Sequence, residues 1–152
     1  MSNVENGFQQ GGTDGKNALF VGGADNLMPT SFEFEISDGA ANVCEVAITV
    51  KDGKGNTIAK PVSLDVFLSD AATGAGLTAT TASGTVTAKT ASGAVIGTYA
   101  AKKALRVQTL ATGVFTLEIT DTAKTGFYVA VNNPFTGLAE VSRQLVTADY
   151  GS

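Results

Sequence analysis

The sequence predicts an all-β fold: an antiparallel β-sandwich of about seven strands, preceded by an extended, glycine-rich N-terminal arm. Three observations carry that reading. Apolar residues recur with a period of two in run after run, the spacing that puts successive side chains on opposite faces of a strand. Gly, Asn and Pro interrupt those runs at short intervals, as the turns of an antiparallel sheet require. No convincing amphipathic helix is present, which leaves two packed sheets as the way to bury the apolar faces.

At 152 residues the chain suits one domain plus an appendage. Residues 1–30 are the appendage. They hold six glycines, several Asn and Gln, and no alternating pattern, so such a segment gains little by folding alone. Scattered within it are Phe8, Leu19, Phe20, Val21, Leu27 and Met28. These six are the expected partner-contact residues, reaching other subunits rather than lying back on the chain's own sandwich.

The domain spans residues 31–152. In residues 31–37, Phe32, Phe34 and Ile36 share one face while Glu33 and Glu35 share the other. Residues 43–50 turn Cys44, Val46, Ile48 and Val50 inward, and residues 51–56 (Lys-Asp-Gly-Lys-Gly-Asn) form a tight connection. After Pro61, Val62, Leu64, Val66 and Leu68 fall in phase. Residues 69–101 read as a long, weakly packed excursion of Thr, Ala, Gly and Ser, with short strands at 85–87 and 94–98 and a helical turn over 99–105. Leu105 and Val107 resume the strands, followed by Phe115, Leu117 and Ile119, then Phe127, Val129 and Val131. A last strand over 138–147 would place Val141, Arg143 and Leu145 in one phase.

Composition removes several function classes. Charged residues are only 16% of the chain, well under the usual quarter, and a weakly charged surface suits contact with another protein. A net charge of −4, with Lys102, Lys103 and Arg106 as the densest basic group, argues against nucleic acid as a partner. Those three are expected in a solvated turn. No apolar stretch has the length of a membrane span. The first residues lack the basic and apolar regions of a signal peptide, so synthesis in a cytoplasm is expected.

Catalytic chemistry finds few residues to use. Histidine is absent and Cys44 is the single cysteine, which removes Ser-His and Cys-His pairs and any cysteine metal site. Cys44 itself is expected to be a small core residue. Glu33 and Glu35 would stand about 7 Å apart on one strand face, which reads as the polar side of a half-buried strand. Asp52, Asn56, Asp70 and Asp121 are expected to be structural turn residues rather than calcium ligands. The expectation is therefore a non-enzyme without cofactor or metal.

The order of turn signals resembles bacterial and phage immunoglobulin-like domains. The resemblance rests on residues 51–56, on the strand preceded by Pro61, on residues 109–113 (Thr-Leu-Ala-Thr-Gly) and on residues 126–131 (Gly-Phe-Tyr-Val-Ala-Val). It covers roughly residues 43–131 and implies an immunoglobulin-like sandwich. Residues 66–72 (Val-Phe-Leu-Ser-Asp-Ala-Ala), with the Thr/Ala/Gly tract behind them, look like small capsid-associated proteins of tailed phages. That likeness implies a capsid decoration (cement) protein in the virion, partnered by the major capsid protein and by copies of itself. Two alternatives stand beside it: a tail-associated structural subunit, and a glycan-binding module using Tyr99, Tyr128 or Phe135 as platform. For those aromatics an ordinary core or strand position is the first expectation.

Overall fold

The computed structural model describes residues 28–152, so the contacts expected at Phe8, Leu19, Phe20, Val21 and Leu27 lie outside the described residues. The chain forms β1 (Ser31–Asp38), β2 (Val43–Lys51), β3 (Ser63–Ser69), β4 (Val86–Ala88), β5 (Ala94–Ala100), β6 (Ala104–Gln108), β7 (Val114–Thr120), β8 (Tyr128–Asn132) and β9 (Ala139–Val141). A single 3-10 turn follows at Thr147–Asp149. The strands build a four-stranded sheet in the order β1-β2-β7-β4 and a five-stranded sheet in the order β5-β6-β3-β8-β9. Every pairing between these strands is antiparallel, and an isolated parallel bridge joins Ala41 to Gly151.

In constant-type immunoglobulin domains the sheets run A-B-E-D and C-F-G. Taking β1, β2, β7 and β4 as A, B, E and D, and β3, β8 and β9 as C, F and G, reproduces that order. The β5–β6 hairpin is an addition beside β3, drawn from the chain between β4 and β7.

The core lies between the sheets and follows the alternation of the sequence. Cys44, Val46, Ile48 and Val50 of β2 and Phe115, Leu117 and Ile119 of β7 meet Leu64, Val66 and Leu68 of β3, Val107 of β6 and Val129 and Val131 of β8. All of these are almost fully buried, and each large side chain contributes about 2 kcal/mol by leaving water. Phe34 and Ile36 of β1 pack against this core from a half-buried position.

Four sequence expectations need correction. Among the described residues there are nine strands rather than about seven, because the short strands expected over 85–87 and 94–98 form, as β4 and β5, and supply one edge strand to each sheet. Residues 69–101 are no loose excursion: Thr78 and Ala82 are buried, Thr78 N–H donates to Leu68 O, and Gly84 N–H donates to Thr120 O. The helical turn expected over 99–105 is a hairpin turn between β5 and β6, with Lys102 at φ 62° and Lys103 N–H donating to Ala100 O. Finally, the last strand stops at Val141. Beyond it Leu145 is buried, but Arg143 is exposed and pairs with Asp149.

Register places the loops at two ends. The arm enters at one end, where Ser31 pairs with Lys51, Thr49 with Val114, and Ser63 with Gln108. Loops 52–62, 109–113 and 133–138 lie there. Gly113 is required at this end: it has φ +81°, and an added Cβ would stand 2.0 Å from Ile58 O. The opposite end gathers loops 39–42, 70–85, 101–103 and 121–127 with the C-terminal segment.

Candidate functional site

At the arm end one buried amide organises the surface. Asn133 is 1% exposed; its Nδ2 donates to Thr30 O at 2.8 Å and to Glu140 Oε2 at 2.9 Å. Its Oδ1 accepts from Phe135 N at 2.9 Å and Thr136 N at 3.3 Å. Glu140 Oε1 in turn accepts from Phe32 N at 2.7 Å. That contact satisfies an outward N–H of edge strand β1, which would otherwise be open to pairing. Thr30 N–H also donates to Lys51 O at 3.0 Å. The base of the arm, β1 and the 133–137 turn are thus one hydrogen-bonded unit.

That unit presents apolar side chains to solvent. Phe135 is 55% and Leu138 70% exposed, with Met28 and Leu110 also exposed at this end. Met28 is the one expected contact residue within the described part, and its exposure leaves it available for contact. Phe135, first expected in a core or strand position, is instead a turn residue held outward by the Asn133 cap.

A second surface lies on the outer face of the five-stranded sheet. Asp65 of β3 and Arg106 of β6 are cross-strand partners, with Arg106 Nη1 3.1 Å from Asp65 Oδ1 and 3.3 Å from Oδ2. Tyr99 of β5 leans over them: its hydroxyl donates to Asp65 Oδ1 at 3.0 Å and accepts from Arg106 Nη1 at 3.1 Å. The Tyr99 hydroxyl, and after it the Asp65 carboxylate, raise the guanidinium pKa above its ordinary value. Tyr99 holds the strand position first expected of it, in β5, but is 62% exposed rather than in the core, whereas Tyr128 is half-buried in β8.

The placement of Tyr99 has a backbone cause. The β5–β6 ladder pairs Val95 and then Gly97, and Thr98 and then Ala100, skipping Ile96 and Tyr99. Each skipped residue is the extra one of a bulge, and bulges re-aim side chains. Both are exposed, Ile96 at 53%. Two shallow hollows of about 350 and 400 Å³ flank this cluster and share Asp65 and Asn132. Phe67, Gly74, Leu77 and Ala104 line the first, while Ser63, Asn133 and Pro134 line the second.

The loop carboxylates serve the backbone. Asp52 Oδ1 accepts from Lys54 N and Asn56 N, and Asp70 accepts from Thr78 Oγ1 and Ala79 N. Asp121, 1% exposed, accepts from the N–H groups of Ser83, Ala123 and Thr125. Burial opposes its ionisation, but hydrogen bonds from Thr125 and Ser83 outweigh that and hold its carboxyl down at about 2. Among the described residues no group of three or more His, Cys, Asp or Glu is placed to hold a metal ion. Glu33 and Glu35 are exposed, and Glu33 pairs with Lys51 at 2.9 Å.

Lys102 and Lys103 do more than sit in a solvated turn. Their Nζ atoms donate to the carbonyls of Ala82, Ser83 and Ala79, clamping the 78–83 loop. Cys44 is fully buried; burial, then the Asp149 carboxylate, push its thiol up to about 12 against the opposing charge of Arg143. No described helix is long and apolar enough to cross a membrane.

Comparison with known proteins adds no relative: no family model, no curated protein and no solved structure matches the chain.

Proposed function

We infer that this chain is a structural virion protein, a decoration protein that binds the outer surface of a tailed-phage capsid and stabilises the shell. The observation that carries the reading is the construction of the arm end. A hydrogen-bonded base holds the start of the arm beside exposed Met28, Phe135 and Leu138. Apolar side chains fixed outward at a chain entry point suit burial against a protein neighbour, and the arm carries five more, at Phe8, Leu19, Phe20, Val21 and Leu27. Each 100 Å² of apolar surface removed from water contributes about 2.5 kcal/mol before binding costs. Copies repeated over a symmetric shell multiply the effect. The major capsid protein and neighbouring copies of the chain are the partners in this reading.

Cosedimentation with capsids tests it. The full chain should pellet with capsids, and a chain lacking residues 1–27 should remain in the supernatant while keeping its unfolding midpoint. A truncated chain that still decorates capsids with the affinity of the full chain contradicts the role of the arm. A full chain that never pellets contradicts the capsid reading itself.

A further inference from the structure

We propose that the outer face of the five-stranded sheet is a binding site for a neutral oligosaccharide, with the Tyr99 ring as its platform and Asp65, Arg106 and Asn132 as its hydrogen-bonding groups.

Sugar rings have an apolar C–H face and a rim of hydroxyls that both donate and accept. A site for them needs an aromatic face of fixed orientation beside planar polar groups. Tyr99 meets the first requirement. Its hydroxyl is anchored twice, to Asp65 and Arg106, which fixes the orientation of the ring, and the residue is 62% exposed. The bulge that leaves Tyr99 unpaired in the ladder is what turns it over the sheet.

The second requirement is met by side chains with hydrogen-bonding capacity left over. Toward the described residues Arg106 donates only through Nη1, and a guanidinium carries five N–H donors. Asp65 and Arg106 keep 34% and 45% of their side chains exposed. Asn132 is exposed and borders both hollows.

Charge selects the ligand class. The Asp65 carboxylate offsets the Arg106 guanidinium, and these two are the charged residues that line the two hollows. An anion therefore finds no excess positive charge here. Two adjoining hollows on an open face suit two or more consecutive sugar units rather than one enclosed ring.

The test uses the full chain on a printed glycan array, followed by NMR titration with lactose, cellotriose and 3′-sialyllactose. Binding of neutral oligosaccharides is expected, with shift changes centred on Tyr99, Asp65, Arg106 and Asn132. Tyr99→Ala and Arg106→Ala should each weaken binding at least about tenfold, whereas Leu138→Ser should bind as the parent does. Absence of binding across the array, binding confined to charged glycans, or shift changes centred elsewhere would each overturn the assignment. None of these results bears on capsid cosedimentation, which tests the other surface.

Discussion

The two ends of the sandwich use the same chemistry to opposite effect. At both, a buried Asp or Asn gathers backbone N–H groups that the strands leave behind. At the C-terminal end the result is closure of the backbone, with Leu77 and Val146 exposed there against Met28, Leu110, Phe135 and Leu138 at the arm end. Asp121 ties loops 83 and 121–125, and Arg143 makes a two-pronged pair with Asp149, which also caps Val146 N–H. Gly151 pairs with the start of β2 through Asn42 N–H and Val43 O. At the arm end, the Asn133–Glu140 unit ties the backbone just as firmly but turns Phe135 and Leu138 outward. A satisfied backbone therefore does not imply a polar surface, and the apolar side chains on this turn are those the proposed capsid contact would bury.

The largest expected effect tests how tightly the closed end shuts. Because Cys44 is fully buried and its thiol is pushed up to about 12, alkylation at pH 8 should run at least about a thousandfold slower in the folded chain than in denaturant. Stopped labelling with iodoacetamide reads this directly, and equal rates would mean that the closed end opens freely.

Removing the hub of that end comes next. Asp121→Ala orphans three backbone N–H groups and should cost about 3 kcal/mol in urea unfolding. Protonation is the milder form of the same change. Because Asp121 is held at about 2 in the folded chain against an ordinary 3.8, its contribution is present above pH 3.8 and is lost as pH falls toward 2. Unfolding midpoints measured from pH 5 to pH 2 should fall in that window, and Asp121→Ala should flatten the fall.

Arg143→Ala leaves Asp149, 9% exposed, without its partner and should cost about 1–2 kcal/mol. Faster amide exchange should be confined to the C-terminal segment and the start of β2. A uniform increase across the domain would place this ion pair in the global transition rather than in a local latch.

The smallest stability effect is expected at the arm end. Phe135→Ser with Leu138→Ser should change unfolding free energy by less than about 0.5 kcal/mol, because neither side chain is in the core. A loss of several kcal/mol would make these residues structural and remove the contrast between the ends.

The parts legible in sequence were those where packing demands contrast. In β2 and β7 every second residue is large and apolar, so period and burial agree at Cys44, Val46, Ile48, Val50, Phe115, Leu117 and Ile119. β4 and β5 were blurred because Ala, Thr and Gly provide little contrast, and the bulges at Ile96 and Tyr99 break the period of two. Residues 99–105 hold Ala, Lys and Leu, good helix formers, but the pairing of Ala100 with Ala104 across the hairpin overrides that propensity. Arg143 kept the phase of Val141 and Leu145, but its partner Asp149 lies on the 3-10 turn, a contact that strand periodicity cannot express. Of the surface features, the exposed Phe135 follows from a side-chain cap by Asn133, and Tyr99 from a bulge. The first is a local turn, with Asn133 Oδ1 accepting from the N–H two residues on, and the Asn and Pro of residues 132–134 signal it; the second comes from strand pairing and has no linear signature.

The most direct test of the central claim, that the arm end is the assembly surface, is electron microscopy of capsids decorated with this protein. Copies on the outer shell should stand with Phe135, Leu138 and Met28 facing the capsid and residues 1–27 running onto neighbouring subunits. Copies seated through the C-terminal end or through the Tyr99 face, with the arm end turned to solvent, would contradict it.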